Sequence, residues 1–259
     1  MSRPKRLFKN TASQKGRNWI ITPENSELEV LGYARTILDQ EVKKVQYENP
    51  DYEAALFCLH GKGTVRIGSE TFNVSPYDTL FLPPGQTGYI ETDSSLDILE
   101  STAPSDASGS PVFIPFKELE QDEELTQDLG SEACNRRIHR LIDKNVPARR
   151  LLCGLIFGAE GNWTSWPPHE HAATKEEIYI YFDMPAPSFG IQLVYEDLDH
   201  PEYFGPVRED DAVVIKRGYH PNLAVPGYPM NFVWIMATLD PEMDRSWSDV
   251  NTQPEFLES

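Results

Sequence analysis

Apolar and polar residues alternate along most of the chain in short runs, and glycine or proline interrupts the runs at close intervals. Such a period of two, broken by turn formers, predicts many short strands and few long helices. Ala54-Ala55-Leu56-Phe57-Cys58-Leu59 reads as an apolar strand, His60-Gly61-Lys62-Gly63 as a glycine turn, and Thr64-Val65-Arg66-Ile67 as the return strand before a turn at Gly68-Ser69. Glu70-Thr71-Phe72-Asn73-Val74, the turn Ser75-Pro76-Tyr77-Asp78, the strand Thr79-Leu80-Phe81-Leu82 and the loop Pro83-Pro84-Gly85 continue the meander. The same order returns later as Glu209-Asp210-Asp211, Ala212-Val213-Val214-Ile215 and Lys216-Arg217-Gly218-Tyr219-His220. Two copies of about 100 residues predict an all-β chain of two fused small barrels, since solenoids repeat every ~20–50 residues. The expected division is an N-terminal barrel over 1–110, an acidic linker or helix over 111–135 and a C-terminal barrel over 136–259. In the connection, Glu118, Glu120, Asp122, Glu123, Glu124, Asp128 and Glu132 face one lysine, and Leu119, Leu125 and Leu129 have partly helical spacing. A solvated face follows from that charge run.

Composition narrows the function classes. The 259 residues carry 41 acidic and 23 basic side chains, a net charge of −18. That balance opposes nucleic-acid and anionic-membrane partners, both of which need a basic face. With 39% apolar residues the chain is too hydrophobic to be a disordered polyanion, and no run approaches the ~18–20 apolar residues of a membrane span. Cys58, Cys134 and Cys153 are widely spaced and form no C-x-x-C pair, which fits a reducing compartment. The stretch Met1 to Gly16 holds Arg3, Lys5, Arg6, Lys9 and Lys15 without an apolar core of secretory length, so a loose basic N-terminus and a cytoplasmic protein are expected.

The chemistry concentrates in three of the six histidines. His169 and His171, at i and i+2, share one face of an extended strand and can reach one ion. In Glu177-Ile178-Tyr179-Ile180-Tyr181-Phe182, Glu177, Tyr179 and Tyr181 share a face that should line a cavity. A hairpin pairing of the two segments would bring Glu177 beside the histidines, with Glu176 as the alternative ligand, and His220 would add a third imidazole from a distant strand. Three neutral imidazoles and a carboxylate suit Zn, Mn, Fe, Co or Ni and leave positions open for a substrate. One metal per chain is expected, because the first half has no His-x-His.

The order His-x-His, Glu and later Gly-x-His inside a two-fold β repeat resembles the cupin superfamily. The segments from Gly161 to His171, Glu177-Ile178-Tyr179 and Gly218-Tyr219-His220-Pro221 resemble more closely the 5-deoxy-glucuronate isomerases of inositol catabolism. The 4-deoxy-L-threo-5-hexosulose-uronate ketol-isomerases of pectin breakdown belong to the same family. Arg136-Arg137-Ile138-His139, Val146 to Leu152 and Glu27 to Tyr33 extend the likeness over most of the chain. Ala172 and the short link to Glu177 look more like the pectin branch.

The resemblance implies a bicupin, two tandem double-stranded β-helix (jelly-roll) barrels, with the metal held by His169, His171, Glu177 and His220 in the second. It also implies an intramolecular aldose–ketose isomerisation of a deoxy-uronate, 5-deoxy-glucuronate to 5-dehydro-2-deoxy-gluconate, and a homo-oligomer. An enediolate requires positive charge and a proton shuttle. Tyr179, Tyr181 and Glu176 are candidates for the shuttle. A carboxylate substrate calls for a guanidinium, so Arg136, Arg137 and Arg217, with His139 nearby, are candidate substrate contacts. The pectin-derived uronate, a cupin dioxygenase activity and a non-catalytic sugar-acid binder are the competing readings, and packing is expected for Trp163 and Trp166.

Overall fold

Strand-forming segments account for 48% of the residues and helix for 3% in the computed structural model, which describes residues 5–243 and 245–257. The first half contains β1 (Leu7–Phe8), β2 (Gly16–Ile21), β3 (Gly32–Leu38), β4 (Lys44–Asn49), β5 (Tyr52–Gly61), β6 (Gly63–Ile67), β7 (Glu70–Val74), β8 (Thr79–Leu82), β9 (Gln86–Glu91) and β10 (Leu96–Pro104). The connection holds β11 (Val112–Ile114), α1 (Phe116–Leu119) and β12 (Thr126–Leu129). The second half contains β13 (Arg136–Ile142), β14 (Leu151–Gly158), β15 (His169–Glu170), β16 (Lys175–Phe182), β17 (Gly190–Val194) and β18 (Tyr203–Val207). It ends with β19 (Ala212–Ile215), β20 (Asn222–Ala224), β21 (Asn231–Thr238) and β22 (Asn251–Thr252).

Two larger sheets repeat one plan. The first runs β11-β8-β5-β10-β3-β2 and the second β1-β19-β16-β21-β14-β13-β12, so β8, β5, β10 and β3 correspond to β19, β16, β21 and β14. Smaller sheets, β4-β9-β6-β7 in the first half and β18-β17-β20 with the pair β15-β22 in the second, complete each copy. The all-β expectation holds, whereas the two closed barrels do not appear: each sheet has two free edges.

Side-chain alternation distributes the core among the sheets. On β5, Ala55, Phe57 and Leu59 join one cluster while Ala54, Leu56 and Cys58 join another. On β16, Ile178, Ile180 and Phe182 join the cluster of Ala55 and Phe57, and Tyr179 and Tyr181 face the second half's own interior. The two larger sheets therefore pack face to face and share a core, and each covers a smaller sheet with its other face. Burial on both faces is why β5 reads as a continuous apolar run.

Two further features join the halves. β1 leaves the first half to pair with β19, and β11, from the connection that leads into the second half, pairs with β8. The loose N-terminus expected over Met1–Gly16 is thus ordered from β1 onward, with Phe8 buried, while Arg3 lies outside the described residues. The second feature is a pair of buried carboxylates. Glu53 accepts hydrogen bonds from the main-chain amides of Arg149, Arg150 and Leu151 at 2.7, 2.7 and 2.8 Å. Glu176 accepts from Glu29, Val30 and Leu31 at 2.8, 2.8 and 2.5 Å. Each glutamate occupies the corresponding position of β5 or β16 and clasps the segment that enters the other half's first core strand.

The helical spacing over 117–132 produces only the four-residue α1. Thr126–Leu129 instead pairs with β13, because an edge of the seven-stranded sheet lies beside it and Leu125 is buried there. Replacing Glu53 by alanine removes the acceptor of three main-chain amides, those of Arg149 and Arg150 partly buried and that of Leu151 buried. Glu53→Ala is expected to lower unfolding stability by about 2–4 kcal/mol and Glu53→Gln, which keeps one acceptor oxygen, by less. Urea denaturation monitored by far-UV circular dichroism checks both.

Candidate metal centre

His169 lies on β15 and His171 directly after it, before a turn in which Ala172 and Ala173 take φ of 50° and 54°. The turn is held by the amide and hydroxyl of Thr174, which donate to the His171 carbonyl at 2.9 and 2.7 Å. β16 then carries Glu177 back under the imidazoles. The hairpin expected between these segments does not form. Both sides of β16 are taken by β19 and β21, and β15 pairs with β22, His169 opposite Thr252. His220 comes from the loop after β19, where Gly218 has φ +89° and any side chain would strike the Tyr195 carbonyl.

The imidazoles are oriented by main-chain acceptors. His169 Nδ1 is 3.0 Å from the Pro167 carbonyl and His220 Nδ1 is 2.8 Å from that of Gly218. A carbonyl only accepts, so both rings carry a proton on Nδ1 and turn Nε2 toward the cluster. Donor atoms of His169, His171 and His220 all lie within 4.8 Å of one another. Glu177 Oε2 approaches His171 Nε2 to 3.3 Å and His220 Nε2 to 3.2 Å. Burial opposes ionisation of Glu177, but the imidazoles of His171 and His220 outweigh it and hold the carboxyl at about 2. Burial, followed by the neighbouring His220 and His171, pushes His169 down to about 3. It is a neutral imidazole at physiological pH.

Both ring nitrogens of His171, Nε2 of His220 and Oε2 of Glu177 are buried without a hydrogen-bond partner. Unsatisfied buried polar atoms are costly, and their convergence on one point is the arrangement that a cation relieves. These residues fit a metal ion.

Above the cluster is a cavity of about 100 Å³ that also exposes Arg136, Ser165, Tyr179, Trp234 and Trp247. Arg136 donates to the carbonyls of Cys134 at 2.9 Å and Trp166 at 2.7 Å, and burial lowers its pKa. Ser165 Oγ is 3.2 Å from Tyr179 Oη, and Asn222 Oδ1 fixes the Ser165 segment by accepting from its amide at 2.9 Å. Burial, reinforced by the Glu177 charge, raises Tyr179 well above its ordinary pKa, so its phenol keeps its proton.

Strand parity separates the other candidates. Glu176 faces away from Glu177 and is committed to the amides of Glu29, Val30 and Leu31, so neither the ligand role nor a shuttle role reaches it. Tyr181 shares the face of Tyr179 but lies deeper, donating to Gln192 Oε1 at 2.6 Å. Arg137 points opposite to Arg136, half-exposed toward Asp128 at 3.9 Å, and Arg217 pairs at the surface with Glu196 at 3.2 Å. His139 also faces away, between Phe116 and Phe157, with Nδ1 2.9 Å from Thr126 Oγ1. Trp163 and Trp166 pack on each other with ring centroids 4.8 Å apart. Sequence reasoning passed over Ser165, Trp234 and Trp247. Trp234 sits in an apolar run whose parity was the available signal, and Trp247 comes from the tail that closes over β15.

Residues 7–256 match the KduI/IolB family. The chain belongs to that family. A relative from Geobacillus kaustophilus (strain HTA426), named 5-deoxy-glucuronate isomerase, is 27% identical over 245 residues, 88% of this chain and 87% of its own length. One of the same name from Bacillus subtilis (strain 168) is 27% identical over 241 residues, 84% of each chain. Among solved structures, an IolB-like protein from Salmonella typhimurium LT2 superposes with a TM-score of 0.85 at 21% identity, covering 98% of both chains. Oxalate decarboxylase from Bacillus subtilis gives 0.64 at 14% identity, covering 92% of this chain and 79% of that one. The fold is cupin-like.

Because an ion bound only by the folded state stabilises it, chelation is expected to lower the melting temperature and added Zn²⁺ or Mn²⁺ to restore it. At metal concentrations about 1,000-fold above the dissociation constant the effect is about 4 kcal/mol. His220→Ala should show neither response, as read by differential scanning calorimetry with elemental analysis. A second expectation concerns His139, which burial and then the charge of Arg137 push down to about 4. A depressed imidazole contributes stability that is present above its unfolded pKa of about 6.5 and is lost as pH falls toward 4. Wild type should therefore lose about 2 kcal/mol more than His139→Phe between pH 7 and pH 5 in denaturant titrations.

Proposed function

We propose that this family member is a metal-dependent aldose–ketose isomerase that converts 5-deoxy-glucuronate to 5-dehydro-2-deoxy-gluconate. The observation that supports this reading most is the meeting, in one cavity, of the imidazole–carboxylate cluster, a half-buried guanidinium and a protonated phenol. The family match and relatives named 5-deoxy-glucuronate isomerase supply the substrate. The assigned cofactor is one divalent ion per chain, Zn or Mn, with Fe, Co and Ni compatible with the same donors. Bound there, it supplies the Lewis-acid charge that an enediolate needs.

His169, His171, His220 and Glu177 hold the ion. Arg136 spends guanidinium N–H groups on the Cys134 and Trp166 carbonyls, and its remaining donors and its charge bind the substrate carboxylate. Tyr179, hydrogen-bonded to Ser165, keeps its proton at Oη and is placed to give it to the substrate carbonyl oxygen and to recover one from the neighbouring hydroxyl as the carbonyl moves to the adjacent carbon, so that the phenol ends the cycle protonated. We assign that role to Tyr179, which lines the cavity, and not to Tyr181, which lies deeper against Gln192, or Glu176, which faces the other side of β16.

The same reading treats residues 1–110 and 136–259 as the two cupin units of a bicupin, joined by the acidic segment 111–135, and the corresponding strand orders support it. A cytoplasmic location accords with the free thiols of Cys58, Cys134 and Cys153. Among the described residues no helix is long and apolar enough to cross a membrane. The exposed Phe204 on edge strand β18 is a surface at which a homo-oligomer would bury apolar area.

NMR of 5-deoxy-glucuronate with metal-loaded wild type should show conversion, and His171→Ala should show none. Tyr179→Phe is expected to lower kcat by about 10²–10⁴-fold and Arg136→Ala to raise KM by about 10–100-fold. A metal-loaded wild type that leaves the sugar unchanged refutes the substrate assignment, and the pectin-derived uronate is then the sugar to test.

A further inference from the structure

The cavity contains one polar group that the chemistry above does not use. β21 directs Phe232, Trp234 and Met236 into it, and Trp234 lies between Gly154 of β14 and Tyr179 of β16. Trp234 is 4% exposed, and its indole nitrogen Nε1 has no hydrogen-bond partner. An indole N–H is a donor only, and it usually finds an acceptor when buried. Trp247, the neighbouring indole at 5.4 Å, has one: its Nε1 donates to Asp143 Oδ2 at 3.0 Å. The side chains around Trp234 on its own strand, Phe232 and Met236, provide no comparable acceptor.

The seat of this indole is also specific. A Cβ on Gly154 would lie 2.2 Å from Cζ2 and 2.5 Å from Cε2 of Trp234, and Cε2 is the ring carbon bonded to Nε1. The nitrogen-bearing edge therefore packs against a backbone position where only glycine leaves room. Such a close fit, for a donor left without an acceptor, is the arrangement expected of a group whose partner is the ligand.

We propose that Trp234 Nε1–H donates a hydrogen bond to an oxygen of the sugar acid bound in this cavity, making Trp234 a specificity-determining residue and Gly154 its positioning residue. The inference rests on the reading of the cavity as a sugar-acid site. A buried donor that is satisfied only by a substrate oxygen discriminates against analogues lacking that oxygen, because binding them leaves the donor unpaired. The apolar ring faces of Trp234 and Trp247 meanwhile present no partner to a hydroxyl, which suits a deoxygenated carbon.

Two readings together test the assignment. The chain has five tryptophans, so ¹H–¹⁵N spectra of the metal-loaded protein should contain five indole signals, and the one missing from Trp234→Phe belongs to Trp234. Titration with 5-deoxy-glucuronate is expected to move that signal downfield, the mark of a new acceptor. Trp234→Phe keeps an aromatic ring but removes the donor, and should lose about 10–100-fold in kcat/KM with metal content unchanged. Gly154→Ala, whose Cβ would strike the same indole edge and the His139 carbonyl 2.3 Å away, should show a loss of the same sense. A signal that stays in place on addition of the sugar, or a Trp234→Phe enzyme within about two-fold of wild type, overturns the proposal. If the signal shifts while wild type leaves the sugar unconverted, the donor assignment stands and the isomerase reading fails.

Discussion

The structure depends on the two carboxylates buried between its halves. Glu53 and Glu176 each hold three consecutive main-chain amides of the opposite half, and both glutamates are buried. The amides belong to the segments that enter β3 and β14, so each clasp sets where a core strand of the other half begins. The exchange of β1 and β11 between the sheets acts in the same direction. Neither half can be removed without leaving a carboxylate, three amides and an apolar sheet face unpaired. This is why the halves share a core, although each repeats the other's strand order.

The clasp also bears on the chemistry. Glu176 and Glu177 are neighbours on β16 and point to opposite faces, one anchoring the strand across the shared core and the other beside the histidines. A shift of β16 by one residue would exchange the two carboxylates, placing the anchor in the cavity and the ligand in the core. Main-chain pairing on both sides of the strand and three amide hydrogen bonds on one face make that slip costly. The corresponding positions in the first half show what the backbone does without chemistry: Glu53 is retained, but Ala54, Leu56 and Cys58 stand where Glu177, Tyr179 and Tyr181 stand in the second. One half fills its interior with apolar groups, and the other lines a cavity.

Much of this was legible in the sequence because it is local. Period-two alternation and turn residues mark β6, β7, β8 and β19 to within a residue of their ends, and the same parity put Glu177 and Tyr179 on one face. The histidines stood out because imidazole pairs spaced for one strand face are uncommon in a chain with six histidines. What escaped was non-local. β15 pairs with β22 about eighty positions away, through backbone groups that carry no residue signature. Glu176 looked like a site residue because its partners are main-chain amides, which any sequence supplies. Arg136 and Arg137 were indistinguishable until the pairing of β13 fixed which one points inward. Leu119, Leu125 and Leu129 fitted a helical stripe, but an open sheet edge with burial for Leu125 favoured a strand.

The charge of the chain and the charge of its ligand pull in opposite directions. A net charge of −18 repels a uronate in bulk, yet the cavity concentrates cationic character where water is excluded. Arg136 is half-buried there with its orientation fixed by two carbonyls, and an ion held by the imidazoles and the single carboxylate of Glu177 would keep most of its charge uncompensated. Attraction between groups at such short range, in a setting of low dielectric, is screened little by salt, whereas the repulsion of the surface is screened within a Debye length of about 8–10 Å. The acidic exterior thus costs little affinity for an anion at physiological ionic strength. Solved relatives below 25% identity share the backbone without sharing a substrate by necessity. Discrimination among sugar acids must then arise from side chains that line the cavity, and the apolar wall of Trp234, Trp247 and Met236 facing the charged pole of Arg136 and the histidines is the feature that a deoxygenated uronate complements at both ends.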